Sequence, residues 1–517
     1  MKRMSWLIAV AVALAATSVA AQEPKRGGTA NVVIQPEPPG LMLGLVQNGP
    51  TQMVSGNIYE SLLRYDFDLK PMPNLATKWD VSADGKVYTF TLKDGVTWHD
   101  GKPFTSADVV FSVDVFLRET HPRLRVSLAQ VEKIEAPDAK TVKFTLKNPF
   151  GPFLIMFEPG TMPMVPKHIY EGTDFKNNPA NNTPIGTGPF KFKEWKKGAY
   201  IHLVRHDAYH VKGQPYLDEI YWQVIPDAAA RSVAFETGKV DILPGGSVEN
   251  FDVPRLSKLP GVCVTGKGWE LFGPHAWIWF NNRQGPMADK RFRQAVMFAM
   301  DRNFARDVIW NGLGKVPTGP MSSKTKFYSA DVPQYPRDVA KAKALLKAMG
   351  YKGEPVRLLP LPYGETWTRW GEAVKQNLIE AGINVQMQAT DVAGWNQKMN
   401  EWDYDMGFTY LYQYGDPALG VARSYISSNI AKGSPWNNVA GYKNETVDKL
   451  FAEAATAFPD EKRQELYTQI QKIIVEDVPV AWTLELEFPT IYRCKVKGLI
   501  DSAIGINDAF ANAWIDK

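Results

Sequence analysis

The chain has 517 residues, 44% of them hydrophobic and 22% charged, with a formal net charge of +4. That length suits two or three packed units at roughly 100–200 residues each, in a composition ordinary for a globular protein. Lysine and arginine are scattered, which excludes the basic stripe that nucleic acid binding requires.

In chain order, Lys2 and Arg3 precede an apolar run from Trp6 to Ala16, then small residues from Thr17 to Ala21. This layout predicts a secretory signal peptide over 1–21, too short to span a membrane. The two cysteines, Cys263 and Cys494, lie far from that junction, so no lipid anchor is expected there. An exported bacterial chain of this kind is expected in the periplasm of a Gram-negative cell. No later stretch approaches about 18 uninterrupted apolar residues.

Residues 88–92 and 142–146 alternate apolar and polar side chains and end at Asp94-Gly95 and Asn148-Pro149, as strands do. Thr105, with Asp108 after it, opens a helix that carries Val109, Val113 and Phe116. Asp289 precedes Phe292, Ala295, Val296 and Ala299. Asp338 precedes Ala342, Leu345, Leu346 and Met349, and Gly350 supplies the stop. A helix through Trp370, Val374 and Leu378 closes at Gly382, and Pro459 starts one carrying Leu466, Ile470 and Ile474. These stripes read as core faces, and the mixture of elements predicts an α/β fold. Cys263 and Cys494 could pair in an oxidising compartment, which spacing alone leaves open.

Signatures of catalysis are missing. There is no Gly-x-Ser-x-Gly elbow, phosphate loop or His-Glu-x-x-His, so no catalytic residue, metal ligand or cofactor is assigned. His202, His206 and His210 would align on a helix, but 201–204 alternates like a strand, on which they diverge. Asp403 and Asp405, on an expected strand, face one side as an acid–base pair would. No nucleophile accompanies them, and an exported hydrolase is only the rival class.

A longer pattern is more specific. LATKW at 75–79, SADGKVYTFTLKDGVTWHDGKP at 82–103 and ADVVFS at 107–112 resemble the signature of family 5 solute-binding proteins. These are the large extracellular receptors of dipeptide, oligopeptide and nickel ABC transporters. The likeness continues through GTGPF at 186–190, PYLD at 215–218, Pro226-Asp227, Phe280-Asn281-Asn282, Arg293-Gln294-Ala295 and Asp301-Arg302. The resemblance implies a two-lobed periplasmic-binding-protein fold with an additional domain inserted in the first lobe. Lobe I would comprise 22–57, 184–267 and 487–517; the inserted domain 58–183; and lobe III 268–486. Both cysteines then fall in lobe I, which supports their pairing. The implied partners are a small organic solute and an ABC permease with its cytoplasmic ATPase subunits, the receptor acting as a monomer that closes around its ligand.

Family resemblance does not fix the ligand. In peptide-binding members, an Asp four residues before a Pro holds the peptide's α-ammonium, in the loop that corresponds to 412–417 here. In dipeptide binders an Arg-Pro-Tyr triplet supplies an Arg for the carboxylate. This chain has Gln413 at the first position and Leu361-Pro362-Tyr363 at the second, so both charged anchors are replaced. An unpaired buried charge costs several kcal/mol, against roughly 1.5–3 kcal/mol from a hydrogen bond to it. Zwitterionic dipeptides should therefore be disfavoured, unless Asp416 takes over as ammonium partner instead of capping a turn with Pro417. The expected ligand contacts are Trp277, Tyr363, Trp367, Tyr410, Tyr412, Gln413, Asp416 and Trp436. Such a site suits a neutral or singly charged, stackable solute: a peptide derivative, an opine-like conjugate or a short oligosaccharide. An ordinary peptide receptor and a chemosensory binding partner are the alternatives.

Overall fold

The computed structural model describes residues 23–121, 124–433 and 436–517. The expected signal peptide lies outside the described residues. Three large sheets, with two further two-stranded ones among the described residues, organise the chain. A seven-stranded sheet runs in the order Val262–Thr265, Thr490–Arg493, Ile242–Leu243, Thr29–Ile34, Glu219–Val224, Tyr200–Arg205, Phe190–Lys196. Thr29–Ile34 pairs parallel with Glu219–Val224 and with Ile242–Leu243, while the outer strands are antiparallel.

A five-stranded sheet holds Val385–Met387, Val356–Leu359, Met406–Leu411, His275–Phe280 and Val480–Glu485, in that order. Every residue of His275–Phe280 and Val480–Glu485 is buried. Strands buried along their whole length are expected where both faces of a sheet are covered. The third sheet is four-stranded and antiparallel, and in it the two alternating segments become neighbours, Tyr88 opposite Phe144. Tyr88, Phe90 and Leu92 point into the core on one strand, Val142, Phe144 and Leu146 on the other.

The helix starts follow their caps. Asp108 Oδ2 accepts from the Thr105 backbone N–H at 2.9 Å, and the helix begun at Ser106 continues as widened turns over Phe111–Leu117. Asp289 caps Lys290–Ala299, and Asp338 caps Val339–Met349, which Gly350 ends at φ 82°. No described helix is long and apolar enough to cross a membrane.

The chain passes from the seven-stranded to the five-stranded sheet between Thr265 and His275, and returns between Glu485 and Thr490. These crossovers touch: the Trp269 indole N–H donates to the Phe488 carbonyl at 2.8 Å. Beside them Cys263 and Cys494 form a disulfide, with Cα atoms 5.1 Å apart.

Candidate ligand-binding site

A cavity of about 420 Å³ opens beside the C-terminal end of Met406–Leu411. Its wall carries Tyr363, Tyr410, Tyr412, Tyr414 and Trp436, with Leu361 among them. Gln47 reaches it from the segment that follows strand Thr29–Ile34, so the cavity lies between the units built on the two larger sheets. Residues 410 and 412 share a side because side chains alternate along an extended backbone. The rings meet edge to face, Tyr410 with Tyr412 at 5.8 Å and Tyr412 with Tyr414 at 6.2 Å. Tyr414 holds its place with φ 52°, a left-handed conformation rare outside glycine and concentrated at functional sites. Tyr363 is 43% exposed and Trp436 38%, which leaves their faces open to a solute. Burial raises the Tyr410 hydroxyl to about 12 and lifts Tyr412 further, so both stay neutral hydrogen-bonding groups.

The other expected contacts lie elsewhere. Trp367 stands behind the wall, stacked on Tyr410 at 5.8 Å and on Trp370 at 5.4 Å. It supports the cavity without lining it. Trp277 is fully buried, edge-on to Trp279 at 5.4 Å, because its strand is central and covered on both faces. It belongs to the core and not to the site.

Gln413 also requires correction. It is 0% exposed, and its carbonyl accepts from Ser322 N–H at 2.7 Å and Thr325 Oγ1 at 2.6 Å. Its amide donates to Pro320 O at 2.9 Å and His275 Nδ1 at 3.1 Å. A side chain held at four points inside the protein has no reach into the cavity.

Asp416 is 2% exposed and takes a bidentate ion pair from Arg463, both N–O distances 2.9 Å. It also accepts from Ala418 N–H at 3.0 Å, capping the turn Pro417–Gly420. The turn-capping role prevails over the ammonium-partner role, because a buried guanidinium already fills the carboxylate. Asp403 and Asp405 precede the strand and do not lie on it. Asp405 pairs with Arg357 at 3.1 Å, and Asp403 with Lys398 at 2.8 Å.

Sequence reasoning missed Gln47, Tyr414, Asn437 and Arg423 as lining residues. The sequence signal for Arg423 is slight: one cation in Val421-Ala422-Arg423-Ser424-Tyr425, shortly after the loop 412–417. A second cavity of about 530 Å³ lies across the same loop, lined by Phe67, Lys70, Lys324, Lys326 and Glu270. Its charged lining is divided evenly between three lysines and the carboxylates of Asp68, Glu270 and Asp416, and it lacks the stacked aromatic wall.

Two sheet-centred lobes, two adjoining crossovers and a cavity between the lobes define a solute-binding protein of the periplasmic-binding type. The model for bacterial extracellular solute-binding proteins, family 5, matches residues 70–433, and the chain belongs to that family. The oligopeptide-binding protein AppA of Bacillus subtilis is 30% identical over 82% of this chain and 80% of its own length. The periplasmic binding protein DppA of Helicobacter pylori, solved with peptide STSA, superposes with TM-score 0.82 at 25% identity, covering 95% of this chain and 99% of its own. AgaA of Agrobacterium tumefaciens R10, solved with agropinic acid, gives TM-score 0.80 at 27% identity, covering 95% and 99%. The chain is thus a transport receptor of an ABC importer and not an enzyme.

Proposed function

We propose that this receptor works in the periplasm, takes a small organic solute into the aromatic cavity and delivers it to an ABC permease. The favoured ligand is neutral or singly charged with a stackable surface, such as a peptide derivative or an opine-like conjugate, and not a free zwitterionic dipeptide. The observation that carries this reading is the orientation of Gln413 and Asp416, whose polar atoms are engaged inside the protein. The ammonium-anchor loop therefore presents tyrosines to the cavity. The likeness to AgaA with agropinic acid supports the opine-like class. The likenesses to AppA and to DppA with a peptide favour the second reading, an ordinary peptide receptor. The lobe division that goes with this function groups 22–57, 184–267 and 487–517 as lobe I, 58–183 as the inserted domain and 268–486 as lobe III. The three sheets fall one in each group.

Closure follows from differential affinity. Moving a two-state balance from 1:99 to 99:1 requires about 5.5 kcal/mol, and micromolar binding supplies about 8.2 kcal/mol in total. The test is a thermal-shift screen of ligand-free protein against dipeptides, tripeptides, N-blocked peptides, opines and oligosaccharides. A true ligand at 100 times its Kd adds about 2.7 kcal/mol of stability. Stabilisation by N-blocked peptides or opines alone supports the reading; equal stabilisation by free dipeptides overturns it.

A further inference from the structure

Arg423 is the one charged side chain among the described residues lining the aromatic cavity. It sits in the short turn Ala422–Ser424, whose two flanking residues are buried, so its backbone is fixed. Its Nε donates to Gly420 O at 3.2 Å and its Nη2 to Tyr412 O at 3.3 Å. These bonds hold the guanidinium against the loop that carries the tyrosines, 5.8 Å from the Tyr414 ring centre. Two neutral amides, Gln47 and Asn437, line the same cavity, and no described carboxylate does.

A fixed cation within aromatic walls is a charge filter. Low-polarity surroundings strengthen its field relative to water, and the planar fork of a guanidinium matches the two oxygens of a carboxylate. An ammonium in the same space meets like charge with no described carboxylate lining to offset it. We infer that Arg423 is a specificity-determining residue and that the solute carries a carboxylate, set beside a flat or apolar body that lies on Tyr363, Tyr412 or Trp436. This inference rests on the aromatic cavity being the binding site and adds the sign of the ligand's charge. The cationic role has moved to a position well separated in sequence from Leu361.

The experiment uses matched acids and amides that differ in charge and hardly at all in shape. N-Acetyl-tyrosine, hippuric acid and indole-3-acetic acid are titrated into the mature protein by calorimetry, each beside its own carboxamide. The expected result is a tenfold or greater preference for the acid, the range given by a hydrogen-bonded charge. Arg423→Gln should reduce that preference to within about threefold, and Arg423→Lys should retain part of it. A merely structural clasp would lower both members of a pair equally and leave their ratio intact. Binding with no acid preference in the wild-type protein overturns the role of Arg423 alone, and needs no variant to fold. Failure of every probe of both kinds overturns the cavity assignment on which the inference rests.

Discussion

The turn after strand Met406–Leu411 is built differently on its two sides. Tyr412 and Tyr414 stay partly exposed along a cavity, while Gln413 and Asp416 are at most 2% exposed and have their polar groups matched within the protein. The polar residues of this turn act as structure, and its aromatic residues line the cavity that we propose as the recognition surface. A hydrogen-bonding side chain is available to a ligand only if the fold has not already satisfied it.

Breaking the inner side should cost most. Asp416→Ala leaves the Arg463 guanidinium buried without its carboxylate, and stability should fall by about 3–5 kcal/mol in urea denaturation. Unchanged stability would mean that the ion pair is not what holds the turn. Gln413→Leu removes four hydrogen bonds and should cost about 2–3 kcal/mol, with the affinity of any identified ligand within threefold of wild type. A large affinity loss at preserved stability would place Gln413 in the site after all.

Acid should act on the same inner side. Burial, with the nearby Arg302 charge adding to it, lowers the His275 pKa to about 3. Its unfolded value is near 6.5, so below that pH the unfolded chain takes up a proton that the native state refuses. The stability due to neutral His275 is therefore complete above about pH 6.5 and falls as pH approaches 3, by roughly 2 kcal/mol at pH 5. His99 is lowered similarly by burial and adds to the slope, so the His275→Gln variant should show a shallower pH dependence than wild type. An unchanged slope would remove His275 from the account. The cavity side should give the smallest energy but the most specific one: Tyr412→Ala should weaken ligand binding by about 1–2 kcal/mol, roughly 5–30-fold, read by calorimetry.

Local pattern made much of the fold legible. The strands around Phe90 and Phe144 show because one face of each meets a core, and the helices after Asp289 and Asp338 show because their first N–H groups need an acceptor. Tyr363, Tyr410, Tyr412 and Trp436 were readable as cavity residues because aromatics gather near the loop. Trp277 and Trp367 were not separable from them, since an aromatic ring serves a core and a cavity wall equally well. The role of Asp416 depends on Arg463, 47 positions away, and no local pattern reports such a pairing.

The disulfide has a mechanical consequence. Cys263 and Cys494 belong to the segments that lead into and out of the two crossovers, and the Trp269–Phe488 bond ties the crossovers to each other. The connections therefore leave the seven-stranded sheet from one covalently pinned root, like two straps riveted to the same plate. Sliding of one strap past the other is blocked at that root, and bending is not. Any movement of the five-stranded sheet relative to the seven-stranded one would therefore turn about that root.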